Sequence, residues 1–229
     1  MIIKVCGMRE SGNIREVAEA GADCIGLIFH PSSPRYVSQV PSASGIVPDR
    51  PGPTTVPQGV MRAGVFVDAS VQDIITRAVN FGLDIIQLHG NESPVMMRNL
   101  RRTLDGCVRP GIRLMKAIPV ARAGDTDKWA DYADCADLLL FDTRCDTAGG
   151  SGRQFDWALL DSYRGSLPFM LSGGIGPGDA ERIAAINHPQ LAGVDLNSRF
   201  ETAPAVKDAE LIGRFICRLR QLKRQQTDT

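Results

Sequence analysis

Eight short apolar runs recur along the sequence of 229 residues, and each is rich in branched side chains. They span residues 2–5, 24–29, 62–67, 84–88, 113–118, 137–141, 168–171 and 192–196. Within a run the apolar residues are continuous and do not alternate with polar ones. This pattern is typical of parallel strands that are buried on both faces.

Helix-like segments follow seven of the eight runs. Ser70 is a good N-cap for one segment, and Gly21, Gly82 and Gly106 stand where C-caps are expected. The segments span residues 13–20, 71–80, 94–104, 128–133, 157–163, 178–186 and 208–222. Repeated strand–helix order indicates an α/β protein with a parallel sheet, and eight units favour a closed (β/α)₈ TIM barrel.

The length agrees with such a barrel. Eight units share 229 residues, about 29 each, and barrels of this kind need roughly 200 to 250 residues or more. An open doubly wound sheet is the alternative, but Cys6-Gly7-Met8 follows the first run where a G-x-G-x-x-G motif would stand. We therefore expect one barrel domain over residues 1–229.

Residues 38–60 do not fit the helical pattern. Five prolines and three glycines in this stretch oppose a regular helix. The composition also suits an interdomain linker, but the 37 residues before it are too few for an independent core. We expect the second barrel helix to be missing or irregular here.

Charge and cysteine patterns exclude several classes of protein. The 26 basic and 26 acidic residues balance, which argues against a nucleic-acid partner. No run approaches 18 apolar residues, so no membrane span is expected. The amino-terminal residues lack the features of a secretory signal, which predicts a cytoplasmic protein with reduced thiols. Neither C-x-x-C nor H-E-x-x-H occurs, so no metal site is expected.

Chemistry in a (β/α)₈ barrel lies at the carboxyl ends of the strands. Cys6 follows the first run directly before a glycine, as a candidate base or nucleophile or as a buried structural thiol. Asp142 follows the apolar run 138–141. Partial burial disfavours a charged carboxylate, which suits a general acid, although Asp142 could instead cap the following loop.

Three further residues stand at strand ends. Arg35 follows Pro34 and suits bidentate binding of a carboxylate, or a surface salt bridge. His89 more often orients a neighbour through hydrogen bonds than reacts itself. Asp195 could bind a sugar hydroxyl, support a phosphate site, or be structural.

Two glycine clusters lie after the sixth and seventh runs, one around Gly150 within residues 149–152 and one at Gly173-Gly174. Glycines let backbone N–H groups approach an anion, and the last two strand ends usually bind phosphate in this fold. Asn197 and Ser198 after the eighth run could complete the site. The alternative is that these are ordinary tight turns.

Motifs in order along residues 2–216 resemble those of the phosphoribosylanthranilate isomerases. The first three read Lys4-Val5-Cys6-Gly7-Met8, Ser33-Pro34-Arg35-Tyr36-Val37 and Gln87-Leu88-His89-Gly90-Asn91-Glu92. They continue with Leu140-Phe141-Asp142-Thr143, Gly149-Gly150-Ser151-Gly152, Leu171-Ser172-Gly173-Gly174-Ile175 and Gly193-Val194-Asp195. Any one of these motifs is weak evidence for the resemblance, but the whole set in the same order along the chain is strong evidence.

The resemblance implies a (β/α)₈ barrel and the Amadori rearrangement of N-(5′-phosphoribosyl)anthranilate in tryptophan biosynthesis, with no metal or organic cofactor. It implies that Cys6 is the general base, Asp142 the general acid, and Arg35 the group that holds the anthranilate. Phosphate would bind after the seventh and eighth strands. A thiol of ordinary pKa becomes a useful base if nearby positive dipoles lower that pKa.

Some points stay open. Many relatives have a serine-rich, glycine-containing turn after the eighth strand, where this chain has Asn197-Ser198-Arg199-Phe200. Three alternatives remain: another phosphosugar barrel enzyme, an isomerase with a second sugar substrate, and a non-catalytic phosphate-binding barrel. The expected partner is a small phosphosugar, and the pattern does not choose between a monomer and a homodimer.

Overall fold

The computed structural model describes residues 1–42, 45–48, 56–143 and 154–227, and its centre is a closed ring of eight parallel strands. Neighbours around the ring follow chain order, and β1 closes it by pairing with β10, with Lys4 opposite Asp195. The ring consists of β1 (Ile2–Cys6), β2 (Cys24–Ile28), β5 (Met61–Phe66), β6 (Ile85–Leu88), β7 (Arg113–Val120), β8 (Leu138–Thr143), β9 (Phe169–Leu171) and β10 (Leu191–Leu196). The predicted (β/α)₈ barrel is confirmed.

A hairpin stands between β2 and β5, where a regular barrel has its second helix. Its strands β3 (Gln39–Ser42) and β4 (Gly45–Pro48) pair antiparallel. Proline removes a backbone donor and breaks helices, but short edge strands tolerate it. The described part of residues 38–60 thus contains no helix, as predicted, while residues 43, 44 and 49–55 lie outside the described residues.

Five α-helices of the described chain lie outside the ring. The N-cap Ser70 accepts a hydrogen bond from the Asp73 backbone N–H at the start of the second helix. None of the helices in the described ranges is long and apolar enough to cross a membrane. The helices are α1 (Ser11–Glu19), α2 (Val71–Phe81), α3 (Pro94–Cys107), α4 (Ala180–Ala184) and α5 (Ala209–Thr227).

Two predicted helices are 3₁₀ turns instead. The segment after β7 forms one at Asp125–Tyr132, and the segment after β8 forms one at Trp157–Ser162. The first stretch is rich in Asp, Thr, Trp and Tyr, which have modest helix propensity. The second contains only 6 residues, fewer than two turns of an α-helix. Shorter 3₁₀ turns occupy Pro177–Asp179 and Ser198–Phe200.

A second hairpin follows β10 and leads into α5. Its strands, β11 (Glu201–Ala203) and β12 (Val206–Lys207), pair antiparallel. This hairpin lies on the carboxyl side of the last barrel strand, so it brings its side chains to the mouth of the barrel.

Two layers of different character fill the inside of the barrel. Alternate residues of each strand point inward. Toward the carboxyl ends of the strands the interior becomes polar, with Cys6, Gln87 and Asp195 buried there. The rest is an apolar cluster that closes the barrel beneath them: Cys24, Ala63, Ile85, Met115, Ala117, Leu138, Leu140 and Met170.

Candidate active site

A cleft of about 540 Å³ opens at the carboxyl ends of the barrel strands. This is the end at which (β/α)₈ enzymes place their chemistry. Five of the residues singled out from the sequence meet in it. The lining consists of Cys6, Ile28, His30, Ser33, Val65, Val67, Gln87, His89, Asp142, Ser172, Asp195 and Asn197.

Cys6 is the last residue of β1 and is buried, with 3% of its surface exposed. Burial raises the pKa of its thiol, while the positive charges of Lys4 and Lys207 act in the opposite direction. A lowered pKa would make this thiol a useful base, but the pKa of Cys6 is not lowered. The cost of removing the thiolate from water outweighs its attraction to the two cations.

A buried ion pair lies beside Cys6. Lys4 Nζ is 2.9 Å from Asp195 Oδ1, and both side chains are almost inaccessible to solvent. Asp195 Oδ2 also accepts a long hydrogen bond, 3.5 Å, from Ser172 Oγ. Burial raises the pKa of Asp195, although Lys4 opposes this. The observed partners of Asp195 fit its structural alternative, and its side chain still lines the cleft.

Asp142 lies near the end of β8 with both carboxyl oxygens engaged. Oδ1 accepts from the Thr143 backbone N–H at 2.8 Å, and Oδ2 is 3.1 Å from His89 Nε2. The other ring nitrogen of His89, Nδ1, is 2.8 Å from Gln87 Nε2. His89 thus lies between Asp142 and Gln87, within hydrogen-bond distance of both.

Cys6 and Asp142 line different sides of the cleft. Their strands, β1 and β8, are separated around the ring by β10 and β9. A sugar ring bound between them would present one side to a thiol and another to a carboxyl group. That arrangement suits separate sites for proton removal and proton donation.

Arg35 stands next to the cleft in a charged network with the second hairpin. Its Nε and Nη2 donate to Glu201 at 2.8 and 2.6 Å. Lys207 Nζ donates to the same carboxylate and, at 2.9 Å, to Asn197 Oδ1. Burial lowers the pKa of Lys207, although Glu201 opposes the shift. Among the described residues Glu201 takes the Nε and Nη2 edge of the guanidinium, and no hydrogen bond occupies Nη1.

Gly173 and Gly174, directly after β9, both have left-handed backbones, with φ of 88° and 64°. A Cβ on Gly173 would stand 2.8 Å from Asp142 Oδ1, so only glycine fits beside this carboxyl group. Ser198 begins the 3₁₀ turn Ser198–Phe200, with Asn197 at its N-cap. These positions lie at the ends of adjacent strands, while Gly150 falls outside the described residues.

Sequence reasoning missed several residues of the site. Lys4 and Gln87 are polar members of apolar runs, a visible signal of a buried polar function. Glu201 and Lys207 gave no such signal, because only the tertiary fold returns the second hairpin to Arg35. Among the described ranges no group of three or more His, Cys, Asp or Glu side chains is arranged to hold a metal ion.

Comparison with known proteins gives a consistent result. The family described as N-(5′-phosphoribosyl)anthranilate (PRA) isomerase matches residues 3–218. The N-(5′-phosphoribosyl)anthranilate isomerase of Phocaeicola vulgatus is 44% identical over 221 residues, covering 96% of this chain and 98% of the relative.

Solved structures of such enzymes share the fold. The phosphoribosyl anthranilate isomerase of Thermus thermophilus superposes with a TM-score of 0.76 and 28% identity, covering 97% of this chain and all of the other. A phosphoribosyl anthranilate isomerase in complex with reduced 1-(o-carboxyphenylamino)-1-deoxyribulose 5-phosphate superposes with a TM-score of 0.73 and 27% identity, covering 96% and 100%.

Proposed function

Because the chain belongs to the N-(5′-phosphoribosyl)anthranilate isomerase family and is an isomerase of tryptophan biosynthesis, we propose that Cys6 and Asp142 catalyse its Amadori rearrangement. The observation that carries this assignment is the meeting of the two side chains in one cleft, on different strands. Asp142 acts as the general acid and Cys6 as the general base.

Asp142 begins the reaction by giving a proton to the furanose ring oxygen of the substrate. The bond between that oxygen and C1 of the sugar breaks, and the anthranilate nitrogen supplies electrons to form a protonated Schiff base. Asp142 is left as a carboxylate, to which the Thr143 N–H and His89 already lie within hydrogen-bond distance. Donors aimed at a developing charge lower the barrier for such a step.

Cys6 then removes the proton from C2 of the sugar. The electrons of the C2–H bond form the C1=C2 double bond and neutralise the Schiff base, giving an enolamine that tautomerises to the ketone. The base form of the cysteine is the thiolate. Lys4 and Lys207 favour that form against the cost of burying it.

Arg35 binds the carboxylate of the anthranilate through the edge that includes Nη1, while Glu201 holds its other edge. Backbone N–H groups around Gly150, Gly173 and Gly174, with Asn197 and Ser198, bind the phosphate. Left-handed glycines form concave sets of N–H groups that suit an anion. Asp195 offers a carboxylate to a sugar hydroxyl from the cleft wall.

We propose further that residues 1–229 act as one barrel domain in the cytoplasm, on a small phosphosugar and without nucleic acid. A reducing compartment keeps the Cys6 thiol available as a base. The proposed steps move protons among side chains, substrate and solvent, so they call for no cofactor. Monomer and homodimer both remain compatible with this chemistry.

A substrate carrying deuterium at ribose C2 tests the proton removal. Product release can mask an isotope effect in the wild-type enzyme. In the Cys6→Ser variant, the hydroxyl hardly ionises near neutral pH, so proton removal becomes slow, and we expect the labelled substrate to turn over several-fold more slowly. Equal rates for labelled and unlabelled substrate in Cys6→Ser would contradict the proposed role.

A further inference from the structure

Gln87 is a buried polar residue of β6 that the proposed reaction steps do not use. Only 1% of its surface is exposed, although it is part of the cleft wall. Its Nε2 is 2.8 Å from His89 Nδ1. Within the described residues its Oε1 is buried and has no hydrogen-bond partner.

The contact between Gln87 and His89 determines where the imidazole carries its proton. An amide nitrogen is only a donor, so Nδ1 must accept and therefore holds a lone pair. A neutral ring then carries its hydrogen on Nε2. That nitrogen is 3.1 Å from Asp142 Oδ2, so His89 donates to the carboxyl group.

The contact of His89 Nε2 with Asp142 Oδ2 supports this orientation of the amide, because each of the two contacts then pairs a donor with an acceptor. Turning the amide over would place Oε1 against Nδ1, which would then need the ring proton. Nε2 would lose its hydrogen, and Asp142 its donor, at the moment when the acid becomes a carboxylate.

We propose that Gln87 is a positioning residue that selects the Nε2–H tautomer of His89. His89 is thereby ready to donate to Asp142 as negative charge develops on it. This inference rests on the proposed function of Asp142 as the general acid. Gln87 does not contact the reacting atoms in this scheme and acts through His89 alone.

Nitrogen NMR of the ring of His89 tests the tautomer directly, in the intact enzyme and without an assay of activity. We expect the wild-type ring at pH 7.5 to carry hydrogen on Nε2 and a lone pair on Nδ1. In Gln87→Glu, an acceptor faces Nδ1, and the proton should move there. Hydrogen on Nδ1 in the wild-type enzyme would overturn the proposal even if no variant folds.

Steady-state kinetics of Gln87→Met test whether the contact between Gln87 and His89 supports turnover. Methionine keeps the length of the side chain and removes its hydrogen bond. We expect kcat to fall about tenfold with little change in KM, as for an interaction made in the transition state. In a His89→Ala background, Gln87→Met should alter kcat by less than about twofold. The effects of two residues that act through one contact are not additive.

If Gln87→Met still lowered kcat in the His89→Ala background, Gln87 would act through packing, and the proposal would be overturned. Thr126→Val is the matched control, since it removes a buried hydroxyl that contacts Ser162 outside the cleft. It should change neither kcat nor the spectrum of His89. If Asp142→Asn kept full turnover, the general-acid role would fail, while the spectra would still decide whether Gln87 sets the tautomer.

Discussion

Glu201 holds Arg35 by two hydrogen bonds, 2.8 Å from Nε and 2.6 Å from Nη2, and the two side chains are 6% and 11% exposed. Paired charged hydrogen bonds of this kind fix the plane of a guanidinium. Lys207 donates to the same carboxylate. One anion from the second hairpin therefore neutralises two buried cations and orients Arg35 beside the cleft.

Replacing Glu201 with glutamine should cost both stability and substrate binding. Arg35 and Lys207 would stay buried without their negative partner, which lowers the free energy of unfolding by about 3 kcal/mol. KM should rise more than kcat falls, because Arg35 loses its fixed orientation. Denaturant unfolding and steady-state kinetics measure the two effects.

Glu181→Gln is the matched control for that variant. Glu181 pairs with Arg218 on the surface, where both side chains are about half exposed. Exposed pairs contribute little to stability. If Glu201→Gln unfolded at the same denaturant concentration as Glu181→Gln, the buried network would not be stabilising.

Lowering the pH should reduce the stability of the protein, partly through protonation of Glu201. Burial alone raises the pKa of this carboxyl group, but hydrogen bonds from Arg35 and Lys207 bring it below the usual 4.5. The unfolded chain then takes up the proton at a higher pH than the folded one. The resulting stability is fully present above about pH 4.5 and is lost as the pH falls through the folded-state pKa.

Unfolding measured from pH 6 down to pH 3 checks this sign. We expect the free energy of unfolding to fall less steeply in Glu201→Gln than in the wild-type protein. Parallel curves for the two proteins would show that Glu201 does not contribute to the acid dependence.

The rate of the reaction should rise with pH. Burial raises the pKa of Cys6 above its ordinary value, so the thiolate is the minor form between about pH 7 and 9 and its fraction rises throughout this range. Lys4→Met removes a cation that opposes this shift, and the rising limb of kcat/KM should move to higher pH. The exposed Lys128→Met is the control and should keep the wild-type profile. A flat wild-type profile over this range would contradict a buried thiol base.

The barrel and the meeting of Cys6 and Asp142 in one cleft could be predicted from the sequence because both follow from repetition. Eight apolar runs define the strands, and the strand-end rule places both residues at the same end of the barrel. Their proposed roles as base and acid come from the family resemblance. The lack of a helix in the described part of residues 38–60 could also be predicted, since proline lacks the backbone N–H that a helix needs.

The rest could not be predicted because it depends on tertiary contacts. Glu201 and Lys207 lie beyond the last barrel strand, at opposite ends of the second hairpin, and only the pairing of β11 with β12 brings both to Arg35. The direction of the pKa shift of Cys6 likewise could not be predicted, because it depends on burial of the thiol in the packed barrel. The repeated strand–helix pattern also overstated the regularity of the segments after β7 and β8, which fold as 3₁₀ turns.

Gly26 on β2 should be essential for the position of the thiol. A Cβ there would stand 2.9 Å from both Cα and Sγ of Cys6, so the strand or the thiol would have to move. Misplacing a reacting group by about 1 Å can cost up to about a hundredfold in rate. We expect Gly26→Ala to lower kcat by at least about tenfold.

Gly12→Ala is the control for this glycine. Gly12 lies in α1, and a Cβ there would meet nothing within 4 Å. Alanine in a helix should raise the free energy of unfolding by about 0.5–1 kcal/mol and leave kcat unchanged. Equal kcat values in the two alanine variants would show that Gly26 does not constrain the thiol.

The most direct test of the acid–base pair is the turnover of purified Cys6→Ala and Asp142→Asn, followed by the loss of substrate fluorescence as N-(5′-phosphoribosyl)anthranilate rearranges. Each variant should fold like the wild-type protein and lose at least about two orders of magnitude in kcat, as expected when a general acid or base is removed. Turnover near the wild-type rate in either variant would contradict the proposed mechanism.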